Sequence, residues 1–124
     1  MIFDVNKDLN SLLETIPELN RKVFPIVAEN STTFPFAVYQ RTNTDFNTVS
    51  KDNNTFIHTF EVSVVTDNYS KGADVANRVF ELLNNKTVSS KNIDWITVDN
   101  VTESYSDGAF IYLFSIVLTK RIQY

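Results

Sequence analysis

The sequence predicts an α+β fold, a mainly antiparallel β-sheet with two helices packed on it in the order α-β-β-β-α-β-β. Residues 56–64 alternate between large and polar side chains, which is the period of a half-buried strand. After Ser70 the apolar period becomes helical, and Asp107-Gly108 between two apolar runs marks a hairpin. Strands joined by hairpins and interrupted by one helix are typical of the α+β class.

The first third of the chain predicts a helix followed by two strands. A helical stripe ends at Pro17, or Pro17 begins a new turn. Residues 23–27 are an apolar run bounded by proline, which we interpret as a short strand. A longer strand follows over residues 34–41 with Pro35 at its start, where a proline is tolerated. The stripe of the first helix consists of Leu9, Leu12, Leu13 and Ile16.

Residues 43–55 form the most polar stretch of the chain, and only Phe46 and Val49 interrupt it. A segment of this length and polarity predicts either a long loop or a hairpin that projects between two antiparallel strands. Both alternatives remain open from the sequence.

Residues 56–83 predict a strand that runs almost directly into a helix. Thr59, Glu61 and Ser63 are expected on the solvent-facing side of the strand. Ser70 is the predicted N-cap of the helix, and Asn84-Asn85 is a left-handed stop. The residues expected to face the core are Phe56, His58, Phe60, Val62 and Val64 on the strand and Ala73, Ala76, Val79, Phe80 and Leu83 on the helix.

Two further strands complete the predicted sheet. Residues 93–105 alternate imperfectly, which indicates a bulge near Asp99-Asn100. Ser106-Asp107-Gly108 predicts the hairpin turn. On the final strand, one face carries Phe110, Tyr112, Phe114, Ile116 and Leu118.

The composition limits the classes of protein to consider. The length predicts one domain over residues 1–124, and the absence of cysteine leaves packing to hold it together. A net charge of −4 with scattered basic residues argues against sequence-independent phosphate binding. No secretory signal is visible, and the longest apolar run, residues 109–114, is short for a membrane helix. We therefore expect a soluble, cytoplasmic protein with no membrane partner and no specific nucleic-acid binding.

The residue pattern predicts no enzyme. His58 is the only histidine, and its place on the apolar face of a strand favours a hydrogen-bonded core or sheet-edge imidazole over general acid/base work. On a strand, Asp94 and Asp99 face opposite sides unless a bulge intervenes, and Asp99 and Glu103 share a face but lie about 13 Å apart, which is too far for a paired acid and base. The two glycines exclude a phosphate-cradling loop. We expect no catalytic residue, no cofactor and no metal site.

The chain resembles the small tail completion, or tail terminator, proteins of long-tailed bacteriophages and prophages. The similarity extends over nearly the whole sequence and starts with the leucine-striped first helix and Val23-Phe24-Pro25. It continues through residues 34–40 and residues 60–69, which enter a helix containing Ala73, Ala76 and Leu83, and it ends with the closing pair of strands.

This resemblance implies a non-catalytic ring, typically a hexamer, on the head-proximal end of the tail tube. Such a ring would stop tube polymerisation and join the tail to the head. The implied partners are other copies of the chain, the tail tube protein and the head-completion or connector protein. The implied location is the virion neck or tail end, with assembly in the cytoplasm of the bacterial host. Within the polar segment we select Phe46, Val49, Lys51 and Asp52 as candidate interface residues.

Two other functions remain open from the residues alone. One is a non-catalytic adaptor domain that binds a peptide or a small ligand on a sheet edge or face. The other is an enzyme that uses His58 with a nearby carboxylate.

Overall fold

The computed structural model describes residues 2–29, 32–50, 53–88 and 92–123, and these form two α-helices and a six-stranded sheet. The α+β prediction is confirmed, and the order is as predicted except for one added two-residue strand, β4. Short 3-10 helices span Ile2–Asp4 and Pro17–Leu19. The elements are α1 (Val5–Glu14), β1 (Val23–Pro25), β2 (Phe36–Ser50), β3 (Asn53–Thr66), α2 (Tyr69–Leu83), β4 (Lys86–Thr87), β5 (Trp95–Ser106) and β6 (Ala109–Gln123).

The strands lie in the spatial order β1-β2-β3-β6-β5-β4. Only β1 and β2 are parallel, and every other neighbouring pair is antiparallel. The chain leaves β3 through α2, β4 and β5 before β6 returns beside β3 along its whole length. The two central strands are therefore paired on both sides.

The described residues of the polar segment, 43–50 and 53–55, belong to a β-hairpin, so the hairpin alternative is correct and the loop alternative is wrong. β2 and β3 stay paired from Phe36 and Val65 as far as Ser50 and Asn53. Bulges interrupt the register between Arg41 and Asn43 and again between Thr48 and Ser50.

One face of the sheet, here called the helix side, carries both helices and the core. Alternate residues of the four long strands point to it, as the period of a strand requires. The opposite face is only half-buried, although it includes apolar residues such as Ile111 and Leu113. The core includes Val5, Leu9 and Leu13 of α1, Val75, Val79 and Leu83 of α2, and Phe60, Val62, Val64, Phe114, Ile116 and Leu118 of the sheet.

The start of α2 differs from the sequence prediction. Asn68, not Ser70, is the N-cap, and its side chain accepts a hydrogen bond of 3.0 Å from the Lys71 N–H. The predicted stop is correct, since Asn85 has a φ of 58° just beyond the helix. Phe80, assigned to the core by helical spacing, is exposed.

The bulge predicted in β5 is present between Val98 and Asn100. It changes which residues face the helices, because an extra residue reverses the alternation. Val98 is on the helix side before the bulge, and Val101, Glu103 and Tyr105 are on that side after it. The predicted turn is also present, with φ angles of 51° at Asp107 and 81° at Gly108, as a type I′ hairpin requires.

Gly72 is needed where α2 meets the sheet. A Cβ at this position would lie 2.2 Å from Thr66 Cγ2 and 2.8 Å from Tyr112 Cε2. We expect Gly72→Ala to lower the free energy of unfolding by about 1–3 kcal/mol, because the helix must move away from the sheet. Urea denaturation measures this loss. The matched variant Asn77→Ala, on the exposed face of α2, should change stability by less than about 0.5 kcal/mol, and equal effects of the two substitutions would contradict the explanation.

Candidate functional site

Both edges of the sheet are largely uncovered in the described part of the chain. At one edge, β1 pairs with β2 only from Ala37 to Tyr39, which leaves residues 40–50 of β2 open. At the other edge, β4 pairs only with Trp95 and Ile96, which leaves residues 97–106 of β5 open. The Asn84 side chain accepts a hydrogen bond of 3.3 Å from the Val98 N–H at the start of the second segment. Open edge strands of this length are templates for pairing with another strand.

The backbone groups that point out of the β5 edge can be assigned from the hairpin. Ser106 and Ala109 flank its two-residue turn and form the hydrogen-bonded pair that closes it. Hydrogen-bonded and non-hydrogen-bonded pairs alternate along an antiparallel ladder. Val101, Glu103 and Tyr105 therefore direct their N–H and C=O groups away from β6, into the open edge.

The backbone groups that point out of the β2 edge can be assigned in the same way. The Ala37 N–H donates to Lys22 O at 2.9 Å, and Tyr39 O accepts from the Ile26 N–H at 2.8 Å, so these two residues face outward. Beyond the bulge at Thr42, the outward positions are Thr44 and Phe46, which lie opposite His58 and Phe56 on the helix side.

Large exposed side chains collect at both open edges on the helix side. Phe46 at the β2 edge is 52% exposed, and its ring packs on that of Phe56 with centroids 4.9 Å apart. At the β5 edge, Val101 is 42% and Tyr105 62% exposed. Tyr69 and Phe80 of α2 add further exposed aromatic surface beside β5.

The aromatic residues near β5 line a cleft of about 280 Å³ between the start of α2 and the β5–β6 hairpin. The Tyr69 hydroxyl donates to both carboxylate oxygens of Glu103 at 3.1 Å, and this hydrogen bond raises the pKa of Tyr69. The Tyr112 hydroxyl donates to the backbone oxygen of Tyr69 at 2.9 Å. These bonds fix the first turn of α2 on the sheet, and the Tyr105 ring lies 4.9 Å from that of Phe110 at the outer side of the cleft.

His58 is buried and hydrogen-bonded, in agreement with its interpretation as a core imidazole. Its Nδ1 lies 2.7 Å from Nη1 of Arg41 and 3.1 Å from Oγ1 of Thr44. Because the guanidinium can only donate, Nδ1 accepts, and we assign the ring proton to Nε2. Burial and the positive charge of Arg41 lower the pKa of His58 from 6.5 to about 4. The imidazole is therefore neutral near pH 7.

Arg41 ties α1 to the sheet through several contacts. Its Nη2 donates to Oδ1 of Asn6 at 2.7 Å. Its guanidinium carbon lies 5.3 Å from the ring centroid of Phe3 and 5.0 Å from that of Phe60, both in the range of cation–π contacts. The His58 and Arg41 cluster is thus a structural joint between the N-terminal segment and the base of the β2–β3 hairpin.

The three acidic residues tested in the sequence lie apart from one another. Asp94 accepts hydrogen bonds from Lys120 Nζ at 3.0 Å and from the Arg121 backbone N–H at 2.7 Å. Burial raises its pKa, but these hydrogen bonds and the two positive charges outweigh burial and hold the pKa below its usual value. Asp99 lies at the bulge of β5, and Glu103 is bonded to Tyr69. Within the described ranges, no group of three His, Asp or Glu side chains could hold a metal ion.

The four candidate interface residues have different outcomes. Phe46 is exposed on the helix side of the β2 edge. Val49 lies in β2, with its side chain outside the described part of the chain, and Lys51 and Asp52 lie outside the described residues altogether. The sequence did not identify Val101 and Tyr105 as candidates. The alternation of side chains reverses at the β5 bulge, and this reversal places both residues on the helix side of the open edge.

No protein-family model and no curated protein matches the chain. Among solved structures, the fold is similar to that of a chain in the virion of a native gene transfer agent particle, with a TM-score of 0.60 and 14% sequence identity. The similarity covers 83% of this chain and 79% of that chain. At this identity the comparison shows a shared fold. Among the described helices, none has the length and apolar character to cross a membrane.

Proposed function

We propose that the chain is a non-catalytic structural subunit of a phage-like virion, and in particular a tail terminator. In this role, copies of the chain form a ring on the head-proximal end of the tail tube. The ring ends tube polymerisation and provides the surface on which the head-completion or connector protein docks. It functions at the virion neck or tail end, and it assembles in the cytoplasm of the bacterial host.

The observation that carries this proposal is the fold shared with a chain of a gene transfer agent virion over most of both chains. A similarity that covers 83% of this chain includes more than a single common supersecondary unit. Fold likeness alone is a limited argument for function, so the sequence resemblance to tail terminator proteins is the second support. The residues that carry that resemblance lie in α1, β1, β2, β3, α2 and the closing strands β5 and β6.

The geometry of the sheet also suits a subunit that meets copies of itself. A protein that acts alone usually blunts or covers its edge strands, because open edges promote association. Here both edges are open over comparable lengths and both carry exposed apolar side chains. These features fit a chain whose edges are covered in an assembly.

Shortening the β2–β3 hairpin tests the proposed role. Deleting residues 47–53 leaves Asn54 and Thr55 as a two-residue connection between the paired residues Phe46 and Phe56. We expect this variant to fold, because the core lies at the other end of the hairpin, and to lose the capping of tail tubes. The measurement is the length distribution of tubes, and the yield of joined particles, with wild-type or deleted protein. Normal tube length and normal joining with the deleted protein would contradict the assignment.

The adaptor alternative has one observation in its favour. The cleft beside Glu103 opens next to the outer edge of β5, which is open in the described part of the chain, and a peptide that adds to a sheet edge needs such an arrangement. An adaptor of this kind would bind its peptide in a discrete one-to-one complex and would not form rings. Light scattering together with titration of a β-strand peptide library separates the two functions: ring formation supports the terminator, and saturable one-to-one binding by a monomer supports the adaptor.

A further inference from the structure

We infer that copies of the chain join head to tail through their two open sheet edges, with β5 of one copy pairing antiparallel to β2 of the next. This inference rests on the proposed function for its biological setting and identifies the surface that builds the ring. The partner of each edge is therefore a second copy of the same chain.

The strand directions allow this contact. β2, β3, β6 and β5 are neighbours in this order and each is antiparallel to the next, so β2 and β5 run in opposite directions. A second copy placed beside the first in the same orientation brings its β2 antiparallel to β5. The helices of both copies then lie on the same side of one continuous sheet. Because the contact uses different surfaces on the two copies, it is heterologous, and a heterologous contact generates a ring when the rotation between successive copies closes.

The two open segments also match in length. The open segments have nearly the same number of residues, 40–50 in β2 and 97–106 in β5. The first begins where the pairing with β1 ends and the second where the pairing with β4 ends, at opposite ends of the sheet. Aligning the segments antiparallel, end to end, places Val101 opposite Phe46 and Glu103 opposite Thr44. All four residues point their backbone groups into the open edge, and their side chains are on the helix side. The backbone donors and acceptors of each edge thus face those of the other.

The side chains at this register are complementary in character. Phe46 and Val101 are both exposed large apolar residues in the free chain, and the contact places them side by side. Tyr105 adds a third exposed large side chain, on β5. Burial of apolar surface together with new backbone hydrogen bonds is the combination that stabilises strand addition to an edge.

This register shifts neighbouring copies along the strand direction. Within one subunit, Glu103 pairs with Tyr112, Tyr112 with Val64 and Val64 with Ala37. Glu103 and Ala37 therefore lie at the same height along the strands. In the contact, Glu103 is instead level with Thr44 of the next copy, six strand positions further once the bulge is subtracted, which is roughly 20 Å at about 3.3 Å per residue. A regular stagger of this kind tilts the strands, as closure of a sheet into a barrel requires. The two uncovered edges therefore suit a closed ring with an internal sheet.

Engineered cysteines test the contact directly, because the chain has no native cysteine. Phe46 and Val101 lie on opposite edges of one subunit, too far apart for an intrachain disulfide. We expect the double variant Phe46→Cys/Val101→Cys to form a ladder of disulfide-linked oligomers at millimolar concentration under mild oxidation. The control Phe46→Cys/Thr102→Cys moves one thiol to the other face of β5 and should remain monomeric on a non-reducing gel. Equal amounts of cross-linked product in the two variants, or a monomeric Val101 variant, would overturn the inference.

A proline substitution gives a second, independent test. The Val101 N–H points into the open edge, so Val101→Pro removes a donor to the neighbouring copy while the pairing with β6 is kept. We expect loss of oligomers in light scattering with a far-UV circular dichroism spectrum like that of the wild type, whereas Val101→Thr should still assemble. Oligomers of unchanged size in the proline variant would overturn the inference. If the edges cross-link but tail tubes remain uncapped, the contact stands and the terminator role fails; capped tubes with inert edges would give the reverse conclusion.

Discussion

Phe60→Ala is expected to lower the free energy of unfolding by about 3–5 kcal/mol, the usual loss for a fully buried phenylalanine. Phe60 has no exposed surface and lies at the centre of the helix side of β3. Its ring also contacts the Arg41 guanidinium, so the substitution removes one of the contacts of the His58 and Arg41 cluster that holds the N-terminal segment on the sheet. Chemical denaturation followed by circular dichroism measures the loss.

Phe46→Ala is the matched control for this prediction. Phe46 is the same type of residue on the same side of the same hairpin, but it is half exposed. We expect its replacement to cost less than about 1 kcal/mol of stability and to weaken assembly, because its ring lies at the open edge. A loss of stability as large as that of Phe60→Ala would contradict the placement of the main core at the centre of the sheet and of Phe46 at its exposed edge.

The second large effect is a loss of stability in mild acid caused by His58. The unfolded chain binds a proton at His58 near pH 6.5, whereas the folded chain resists protonation until the pH is about 4. Since the unfolded state binds more protons in this interval, stability rises with pH. The stability that depends on a neutral His58 is fully present above pH 6.5 and is lost as the pH falls toward 4. At about 1.4 kcal/mol for each pKa unit, it amounts to about 3 kcal/mol.

His58→Gln isolates this contribution, because glutamine can still accept the Arg41 hydrogen bond but does not titrate. Urea denaturation at a series of pH values should show a slope between pH 6.5 and 4 in the wild type and a much flatter curve in the variant. The hydrogen-bonded Asp94 carboxylate, with its lowered pKa, also adds stability that is lost in acid, but only at lower pH, so both proteins should share that lower limb. An unchanged slope in His58→Gln would mean that other groups cause the acid sensitivity.

Local periodicity predicted most of the fold correctly. The alternation around Phe60 and Phe114 identified the helix side of the two central strands, because one face is buried and the other is not. The turn at Asp107-Gly108 was readable because few residues adopt positive φ angles. Phe80 was misplaced since helical spacing gives a stripe but not its width, and α2 buries Val75 and Gly72 in its stead. The N-cap moved to Asn68 because either residue can cap a helix and the tertiary contacts of Thr66 and Tyr69 decide between them.

The open edges could not be predicted because strand order is not a local property. β3 pairs with β6, which lies far away in sequence, and this long pairing supports the extended hairpin that the polar residues 43–55 indicated only as one of two alternatives. The same order leaves β2 and β5 outside. Phe46 could be selected from its polar surroundings, whereas Val101 and Tyr105 resemble ordinary strand residues until the bulge and the missing neighbour are known.

Electron microscopy of tail tubes assembled with and without the purified protein tests the terminator role most directly. We expect tubes of uniform length that carry one ring at one end only, and tubes of uncontrolled length when the protein is left out. Tubes of the same length distribution in both samples, with no added density at either end, would contradict it.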